Sequence, residues 1–202
     1  MAVRVSAKFL ASATDAGHFP AAGPPEIAFL GRSNVGKSSL INSLVGEKIA
    51  KTSSTPGRTR AINFFAIRRQ GQPRADLVFA DLPGYGYAKL SREVTAEWPK
   101  FVEPYLEKRP TLALCVVLVD PNIPTQDSDR QLVEWLDHAQ RRFAIVTTKA
   151  DKLSSNQLQK ALERLADELG GPRILSFSAR SGMGRDELWR EIRDAAHGET
   201  ND

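Results

Sequence analysis

Apolar residues recur along the chain with two different spacings, and these predict its strands and helices. Continuous apolar runs, typical of buried strands, lie at 27–30, 61–67, 77–80, 112–119, 143–147 and 173–177. Apolar residues three and four positions apart, typical of amphipathic helices, lie within 38–45, 92–108, 128–140, 155–169 and 184–196. Ser154 and Gly170 are suited to cap one of these helices, whereas Pro99 and Pro104 should break or kink another.

The order of these elements predicts the fold class. Strands alternate with helices from residue 112 onward, which is typical of parallel strands. The runs 61–67 and 77–80 are joined by a short, turn-rich segment, so these two strands should be antiparallel. We therefore expect an α/β protein with three layers and a doubly wound, mainly parallel six-stranded sheet that has one antiparallel edge strand. Residues 23–197 would form this domain, with 1–22 as a flexible segment and 198–202 as a tail.

Composition agrees with a soluble single domain. The 202 residues are 41% hydrophobic and 26% charged. The longest apolar run, 112–119, is far shorter than the roughly 20 residues of a membrane helix. The sequence shows no pattern of a secretory signal, so we expect a cytoplasmic protein with no membrane partner. Cys115 is the single cysteine, and core packing is its simplest role.

Charge is distributed unevenly along the chain. Residues 31–74 contain nine lysines and arginines and one acidic residue, whereas residues 75–202 contain seventeen basic and twenty-one acidic residues. A basic region of this kind can serve a bound nucleotide, a polyanionic partner such as RNA, or solubility alone. Charge by itself leaves these three alternatives open.

The segment between the first predicted strand and the first predicted helix carries a phosphate-binding pattern. It matches G-x4-G-K-[ST] in the strand–loop–helix context that this pattern requires. Glycines let backbone N–H groups and the helix N-terminus face the phosphates. We expect Lys37 to reach the β- and γ-phosphates and Ser38 to bind Mg²⁺ through its hydroxyl. The predicted nucleotide contacts here are Gly31, Arg32, Ser33, Asn34, Val35, Gly36, Lys37 and Ser38.

Two further segments are expected to sense the terminal phosphate. Asp81-Leu-Pro-Gly84 ends a buried strand, so that Asp81 can approach Mg²⁺ through water and Gly84 can offer its N–H to the γ-phosphate. In the polar loop before residue 61, Thr59 is favoured over Thr55 as the hydroxyl that completes the Mg²⁺ shell only when the γ-phosphate is present. The predicted contacts are Gly57, Arg58, Thr59, Arg60, Ala61, Asp81, Leu82, Pro83 and Gly84, and the catalytic candidates are Lys37, Thr59 and Gly84.

A third set of residues predicts the choice of base. Asp151 follows the strand 143–147, at the carboxyl end of a parallel sheet where ligands bind. A carboxylate accepts both N1–H and the 2-amino group of guanine, which adenine lacks, so Asp151 should select GTP over ATP. Lys149 would pack its stem along the base, and the segment after the last strand can offer an N–H to guanine O6. The predicted contacts are Thr148, Lys149, Ala150, Asp151, Ser178, Ala179 and Arg180.

Together these residues resemble the translation-factor-related GTPases, and more closely the EngB (YihA/YsxC) family of bacterial ribosome-biogenesis GTPases. The resemblance covers roughly 8–195 and is carried by Gly31-Arg-Ser-Asn-Val-Gly-Lys-Ser-Ser, Thr55-Pro-Gly-Arg-Thr, Ile62-Asn-Phe-Phe, Asp81-Leu-Pro-Gly-Tyr-Gly-Tyr and Thr148-Lys-Ala-Asp-Lys-Leu. It implies a Ras-like P-loop GTPase fold, Mg²⁺, and hydrolysis of GTP to GDP and phosphate as a molecular switch. It also implies a role in large ribosomal subunit assembly, with rRNA and ribosomal proteins as partners, and a requirement in cell division and septation.

The same resemblance assigns roles to single positions. Ser38 and Thr59 would be the direct Mg²⁺ ligands, and we expect a monomer. Thr148 stands where most GTPases have an Asn that bonds the base and braces the phosphate loop, so guanine should be held less tightly. Asn34 matches the position where some related GTPases hold K⁺, which makes K⁺ a second candidate cofactor, although Asn34 also simply tolerates an unusual backbone angle.

Position 85 leaves a gap in the mechanism. Many GTPases have Gln there to orient the attacking water, and Tyr85 has no amide to do so, which predicts slow intrinsic hydrolysis completed by a partner. Alternatively, Tyr85 packs against the mobile switch. A rival interpretation is a nucleotide-dependent ribosome-docking module with negligible hydrolysis. A second rival, an ATP-using P-loop kinase or ATPase, is disfavoured because Asp151 has no role with adenine.

Overall fold

The computed structural model describes residues 4–50, 61–85, 92–170 and 174–198, with the backbone alone over 92–99. The elements in chain order are β1 (Val5–Ala13), β2 (Glu26–Gly31), α1 (Lys37–Val45), β3 (Ile62–Arg69), β4 (Leu77–Asp81), α2 (Arg92–Lys108), β5 (Leu112–Val119), α3 (Asp127–His138), β6 (Phe143–Thr147), α4 (Ser155–Leu169), β7 (Ile174–Ser176) and α5 (Arg185–His197). Every strand and helix predicted from the apolar spacing is present. Their ends differ from the predicted ones by two residues or fewer.

Among the described residues, seven strands form one sheet in the order β1-β3-β4-β2-β5-β6-β7. The strands β4, β2, β5, β6 and β7 run parallel to one another. The strand β3 is antiparallel to β4, as the short connection between them predicted. The α/β class and the mainly parallel sheet are therefore confirmed.

The predicted count of six strands is wrong, because β1 lies in the segment that was expected to be flexible. It pairs with β3 in an antiparallel ladder and forms the sheet edge. Its register shifts between Phe9 and Ala11. Val5 and Ala7 therefore pack against one core, whereas Ala11 and Ala13 belong to the other. A strand whose inward side changes at such a bulge shows no continuous alternation, which explains why the apolar pattern did not predict it.

The two faces of the sheet bury separate cores, which gives the predicted three layers. Successive residues of β2 illustrate the alternation: Phe29 faces the core under α1 and α5, and Leu30 faces the core under α2, α3 and α4. Cys115 lies fully buried in the second core, where burial raises its pKa to about 12. Core packing is thus its role. None of the described helices is both long and apolar enough to cross a membrane.

Two helices test the predictions made for helix ends and prolines. Ser154 caps α4 by accepting from the Gln157 N–H, and Gly170 ends the same helix. By contrast, α2 runs as one element through Pro99 and Pro104, so neither proline breaks the helix, and the alternative of a kink stays a prediction. Its last two turns bury Tyr105 against the sheet, and burial of a large side chain offsets the two backbone hydrogen bonds that the prolines cannot donate.

Candidate nucleotide-binding site

The loop between β2 and α1 has the backbone shape that its glycines predicted. Asn34 and Gly36 have φ angles of 66° and 114°, in the left-handed region. The unusual backbone angle considered for Asn34 is therefore present. At Gly31, a Cβ would lie 2.8 Å from Val35 Cγ1 and 3.1 Å from Leu118 Cβ, so a side chain there would displace the loop. The loop leads directly into the N-terminus of α1 at Lys37.

Two charged residues expected at the phosphates and the metal meet in the structure. The Lys37 ammonium pairs with the Asp81 carboxylate, and their side chains are 11% and 7% exposed. They meet because β2 and β4 are neighbours in the sheet, and Asp81 is the last residue of β4. Ser38 follows Lys37 in the first turn of α1. The hydroxyl and carboxylate oxygens are donors that Mg²⁺ prefers, so these residues fit such an ion.

The Asp81-Leu-Pro-Gly84 segment lies directly against the phosphate loop. The Tyr85 N–H donates to the Gly31 carbonyl at 3.4 Å, and the Ser33 N–H donates to the Tyr85 carbonyl at 3.2 Å. A Cβ added to Gly84 would lie 2.9 Å from Ser33 Oγ and 3.0 Å from Ser33 N. Only glycine allows this approach, so the two predicted motifs form one surface.

The side chain of Tyr85 contacts α3. Its hydroxyl donates to Asp129 Oδ1 at 3.1 Å, and Arg32 Nε lies 3.3 Å from Asp129 Oδ2. Burial, together with the negative charge of Asp129, raises the pKa of Tyr85 well above its ordinary value, so the hydroxyl stays a neutral donor. The described partner of Tyr85 is therefore α3. Packing of Tyr85 against the mobile switch stays a prediction, because residues 51–60 lie outside the described residues. Asp129 was not predicted, because an acid in the first turn of a helix usually serves only that helix end.

A cavity of about 230 Å³ adjoins the phosphate loop at the carboxyl ends of β6 and β7. Predicted base contacts line it together with residues that were not predicted. The predicted lining residues are Gly36, Thr148, Lys149, Asp151, Ala179 and Arg180. The additional ones are Ser39, Leu40, Lys152 and Phe177. The structure therefore brings the phosphate and base motifs to one concave site, where ligands of doubly wound sheets bind.

Thr148 braces the phosphate loop. Its hydroxyl lies 2.5 Å from the Val35 carbonyl and 3.3 Å from the Val119 carbonyl, and the residue is 3% exposed. A Cβ added at Gly36 would lie 3.4 Å from the Cβ of Thr148, so the two residues are close neighbours. The bracing that was expected of an Asn at this position is therefore provided by a threonine hydroxyl.

Lys149 links the base site to the phosphate loop. Its ammonium donates to the Asn34 carbonyl at 3.1 Å and to Asp120 Oδ2 at 2.7 Å. Burial raises the pKa of the Asp120 carboxyl, but hydrogen bonds from Lys149 and Asn122 outweigh it and hold that pKa below its ordinary value. Asp120 was not predicted, although an acid that directly follows the apolar run of β5 was an available signal.

The Asp151 carboxylate is exposed and is oriented by a hydrogen bond. Its Oδ1 accepts a 2.6 Å hydrogen bond from the Ser178 hydroxyl, which lowers the pKa of Asp151. Ser178 is fully buried, and its Oγ accepts the N–H groups of Arg180 and Ser181, both at 3.2 Å. Ser178 thus orients the carboxylate, whereas Ala179 lines the cavity. Asp151 is ionised at neutral pH, as acceptance from guanine requires.

The remaining predicted contacts are only partly visible. Gly57, Arg58, Thr59 and Arg60, and the competitor Thr55, lie outside the described residues. Ala61 is half-buried where the described chain resumes. Leu82 and Pro83 are buried between Asp81 and Gly84, and the Leu82 N–H donates to the Phe29 carbonyl at 3.2 Å. The segment expected to complete the metal shell therefore stays a prediction.

Comparison with known proteins gives a consistent family assignment. Residues 26–149 match the family described as 50S ribosome-binding GTPase. The probable GTP-binding protein EngB of Koribacter versatilis is 60% identical over 194 residues, covering 96% of both chains. That of Acidobacterium capsulatum is 55% identical over 195 residues, covering 96% of this chain and 92% of the relative.

Solved structures agree on the fold. A crystal structure of a probable GTP-binding protein EngB superposes with a TM-score of 0.68 at 23% identity, covering 86% of this chain and 99% of that one. Aquifex aeolicus Era bound to GDP·AlF4⁻ gives a TM-score of 0.71 at 22% identity, covering 85% and 56%. With the phosphate loop, the base cavity and full-length relatives in agreement, the chain belongs to the EngB family of P-loop GTPases, which bind GTP and hydrolyse it.

Proposed function

We propose that GTP binding and hydrolysis make this protein a conformational switch in assembly of the large ribosomal subunit. The observation that supports the switch is the close approach of Gly84 to the phosphate loop, where a Cβ added at Gly84 would lie 2.9 Å from Ser33 Oγ. Because Gly84 would reach only the terminal phosphate, its position should differ between the GTP and GDP states.

The site residues take the following roles in this proposal. Backbone N–H groups of the phosphate loop and Lys37 hold the phosphates, Ser38 and Thr59 bind Mg²⁺, and Asp81 reaches the ion through water. Lys37 and Asp81 pair in the structure. A phosphate that draws Lys37 away leaves the Asp81 carboxylate unpaired near Ser38, which favours a hard cation there. Asp151 selects guanine, and Lys37, Thr59 and Gly84 act on the terminal phosphate.

Three observations support a ribosomal partner. The matching family is described as 50S ribosome-binding. A solved structure with a TM-score of 0.68 and 24% identity is Era in complex with MgGDPNP and nucleotides of 16S ribosomal RNA. Residues 31–74 are strongly basic, which favours rRNA contact. A cytoplasmic address, a monomeric state and a requirement in cell division and septation belong to the same proposal through the family resemblance, as does K⁺ near Asn34.

Co-sedimentation with purified ribosomal subunits tests the proposal. The protein should sediment with large subunits in the presence of a non-hydrolysable GTP analogue and separate from them with GDP. The Asp151→Asn variant is the matched control, because it should require xanthosine nucleotides for the same behaviour. Equal sedimentation with the analogue, GDP and no nucleotide would exclude a nucleotide-controlled role at the ribosome.

The geometry of Tyr85 favours a second candidate, a ribosome-docking module with negligible intrinsic hydrolysis. The side chain at this position is engaged by Asp129 in a buried contact, so it does not serve as the residue that orients water. Single-turnover hydrolysis with and without large-subunit particles separates the two functions. A rate that rises on the particle supports the switch, whereas an unchanged, slow rate supports the docking module.

A further inference from the structure

We propose that Asp129, on α3, is a positioning residue for the terminal phosphate: it ties Arg32 of the phosphate loop to Tyr85 and so keeps Gly84 in place. The inference rests on the proposed switch, in which Gly84 contacts that phosphate. Asp129 itself lies behind the loop, and its carboxylate is 1% exposed. It therefore acts through other residues and touches no nucleotide.

The Asp129 carboxylate joins three separate segments of the chain. Oδ1 accepts from the Tyr85 hydroxyl at 3.1 Å. Oδ2 lies 3.3 Å from Arg32 Nε and accepts from the Gln126 N–H at 3.2 Å. Gln126 is the N-cap of α3, so the carboxylate is fixed relative to that helix. Through Asp129, the phosphate loop and the segment after β4 are thus both attached to α3.

The same two residues also pair through their backbones. Arg32 and Tyr85 form an isolated parallel bridge that extends the β2–β4 pairing beyond the strand ends. Its two hydrogen bonds are long, at 3.2 and 3.4 Å, near the limit for N–H to carbonyl bonds. A bridge this weak needs support from the side chains, and Asp129 supplies it on both partners.

The Arg32 contact leaves room for adjustment. Arg32 Nε is buried and has no hydrogen bond in the structure, so its 3.3 Å approach to Asp129 is an ion pair without hydrogen-bond geometry. A small shift of the loop can tighten or loosen it. Because Gly84 immediately precedes Tyr85 and would meet Ser33 with any side chain, such a shift moves the sensor relative to the phosphates.

This arrangement predicts a selective loss of affinity. Removing the Asp129 charge should weaken binding of a non-hydrolysable GTP analogue about fivefold, the usual effect of one buried polar contact. GDP lacks the phosphate that Gly84 contacts, so its dissociation constant should change by less than about twofold. A purely structural role for Asp129 would weaken both nucleotides equally.

The experiment measures dissociation constants for the analogue and for GDP on the full chain carrying Asp129→Asn, with the unfolding midpoint of each nucleotide-free variant. Tyr85→Phe removes only the hydroxyl. It should raise the ratio of the analogue dissociation constant to the GDP dissociation constant, but by less than Asp129→Asn does. The double variant should shift this ratio no further than Asp129→Asn alone, because both changes break the same link.

Tyr105→Phe is the matched control, since Tyr105 donates in the same way to the buried Glu26 at the far end of the sheet. It should lower stability and leave the ratio unchanged.

The outcomes separate the two proposals. If the wild-type protein does not distinguish guanine from adenine nucleotides, the proposed function fails and this inference fails with it. If the wild type distinguishes them and Asp129→Asn leaves the analogue-to-GDP ratio unchanged, this inference alone is overturned. If Asp129→Asn does not fold, Tyr85→Phe decides, and an unchanged ratio there also overturns it.

Discussion

Glu26, at the amino end of the sheet, and Asp129, beyond its carboxyl end, each meet a tyrosine hydroxyl and an arginine inside the protein. At the amino end, Tyr105 donates to Glu26 Oε2 at 2.9 Å, and Arg109 donates to Oε1 through Nε at 2.9 Å and Nη2 at 2.5 Å. At the carboxyl end, the corresponding distances to Asp129 are 3.1 and 3.3 Å. The carboxylate, tyrosine and arginine are thus joined by short hydrogen bonds at the amino end and by longer contacts at the carboxyl end.

The two groups also differ in the further contacts that hold them. The Glu26 group is further tied down, since Thr111 donates to Oε1 at 2.8 Å and Arg109 also donates to the Pro20 carbonyl at 2.8 Å. In both groups burial raises the tyrosine pKa well above its ordinary value, so both tyrosines remain neutral donors. A fully bonded buried group rigidifies its surroundings. The proposed switch would rearrange the Asp129 group with nucleotide, and contacts that rearrange are drawn from the less stable part of a fold.

The largest expected effect is at the amino end. Glu26→Ala leaves Arg109 buried without its partner and should lower the free energy of unfolding by about 3–5 kcal/mol. GDP affinity should hardly change, because the site lies at the opposite end of the sheet. Denaturant unfolding measures this loss. The matched change Asp129→Ala should cost clearly less, since Arg32 is 17% exposed against 9% for Arg109. Equal losses would show that the two groups do not differ in strength.

The next effect is at the base cavity. Asp151→Asn should weaken GTP binding about a hundredfold, because an amide cannot accept from both donors of guanine. Xanthosine triphosphate should recover binding. Stability of the nucleotide-free protein should stay close to wild type, since Asp151 is exposed. Titration with both nucleotides checks the exchange of preference, and an unchanged GTP affinity would remove Asp151 from the site.

A smaller effect separates bracing of the loop from packing of the sheet. Thr148→Val removes the hydroxyl that donates to Val35 and should weaken GTP and GDP about fivefold each. Thr147→Val is the control, because the neighbouring hydroxyl is also buried but bonds the Leu175 carbonyl of β7 at 3.4 Å. It should change stability slightly and affinity not at all. Equal affinity losses in the two variants would assign the effect to general packing.

The same contrast explains how far the sequence predicted the molecule. The parallel strands and the phosphate, sensor and base motifs carry their signal within a few consecutive residues, and the structure brings the described ones together. Asp129 and Asp120 meet their partners Tyr85 and Lys149 across separations of 44 and 29 residues. Each also has an ordinary local role, at a helix start or a strand end. The position of Asp120 after β5 was a local signal for an acid at the site, but neither residue's partner is marked by a local pattern. The order of the strands in the sheet brings these partners together.

The smallest effect concerns Asp120, whose carboxylate holds Lys149 against the phosphate loop. Its pKa is held below the ordinary value, so this contact stabilises the fold when the carboxyl is ionised and loses that contribution as the pH falls below about 4. Asp120→Asn should lower the free energy of unfolding at neutral pH by less than about 1 kcal/mol, because the pair is partly exposed. The difference from wild type should shrink as the pH falls below about 4. A difference that stays constant over this range would show that the Asp120 charge contributes nothing, and that Lys149 is held by the Asn34 carbonyl alone.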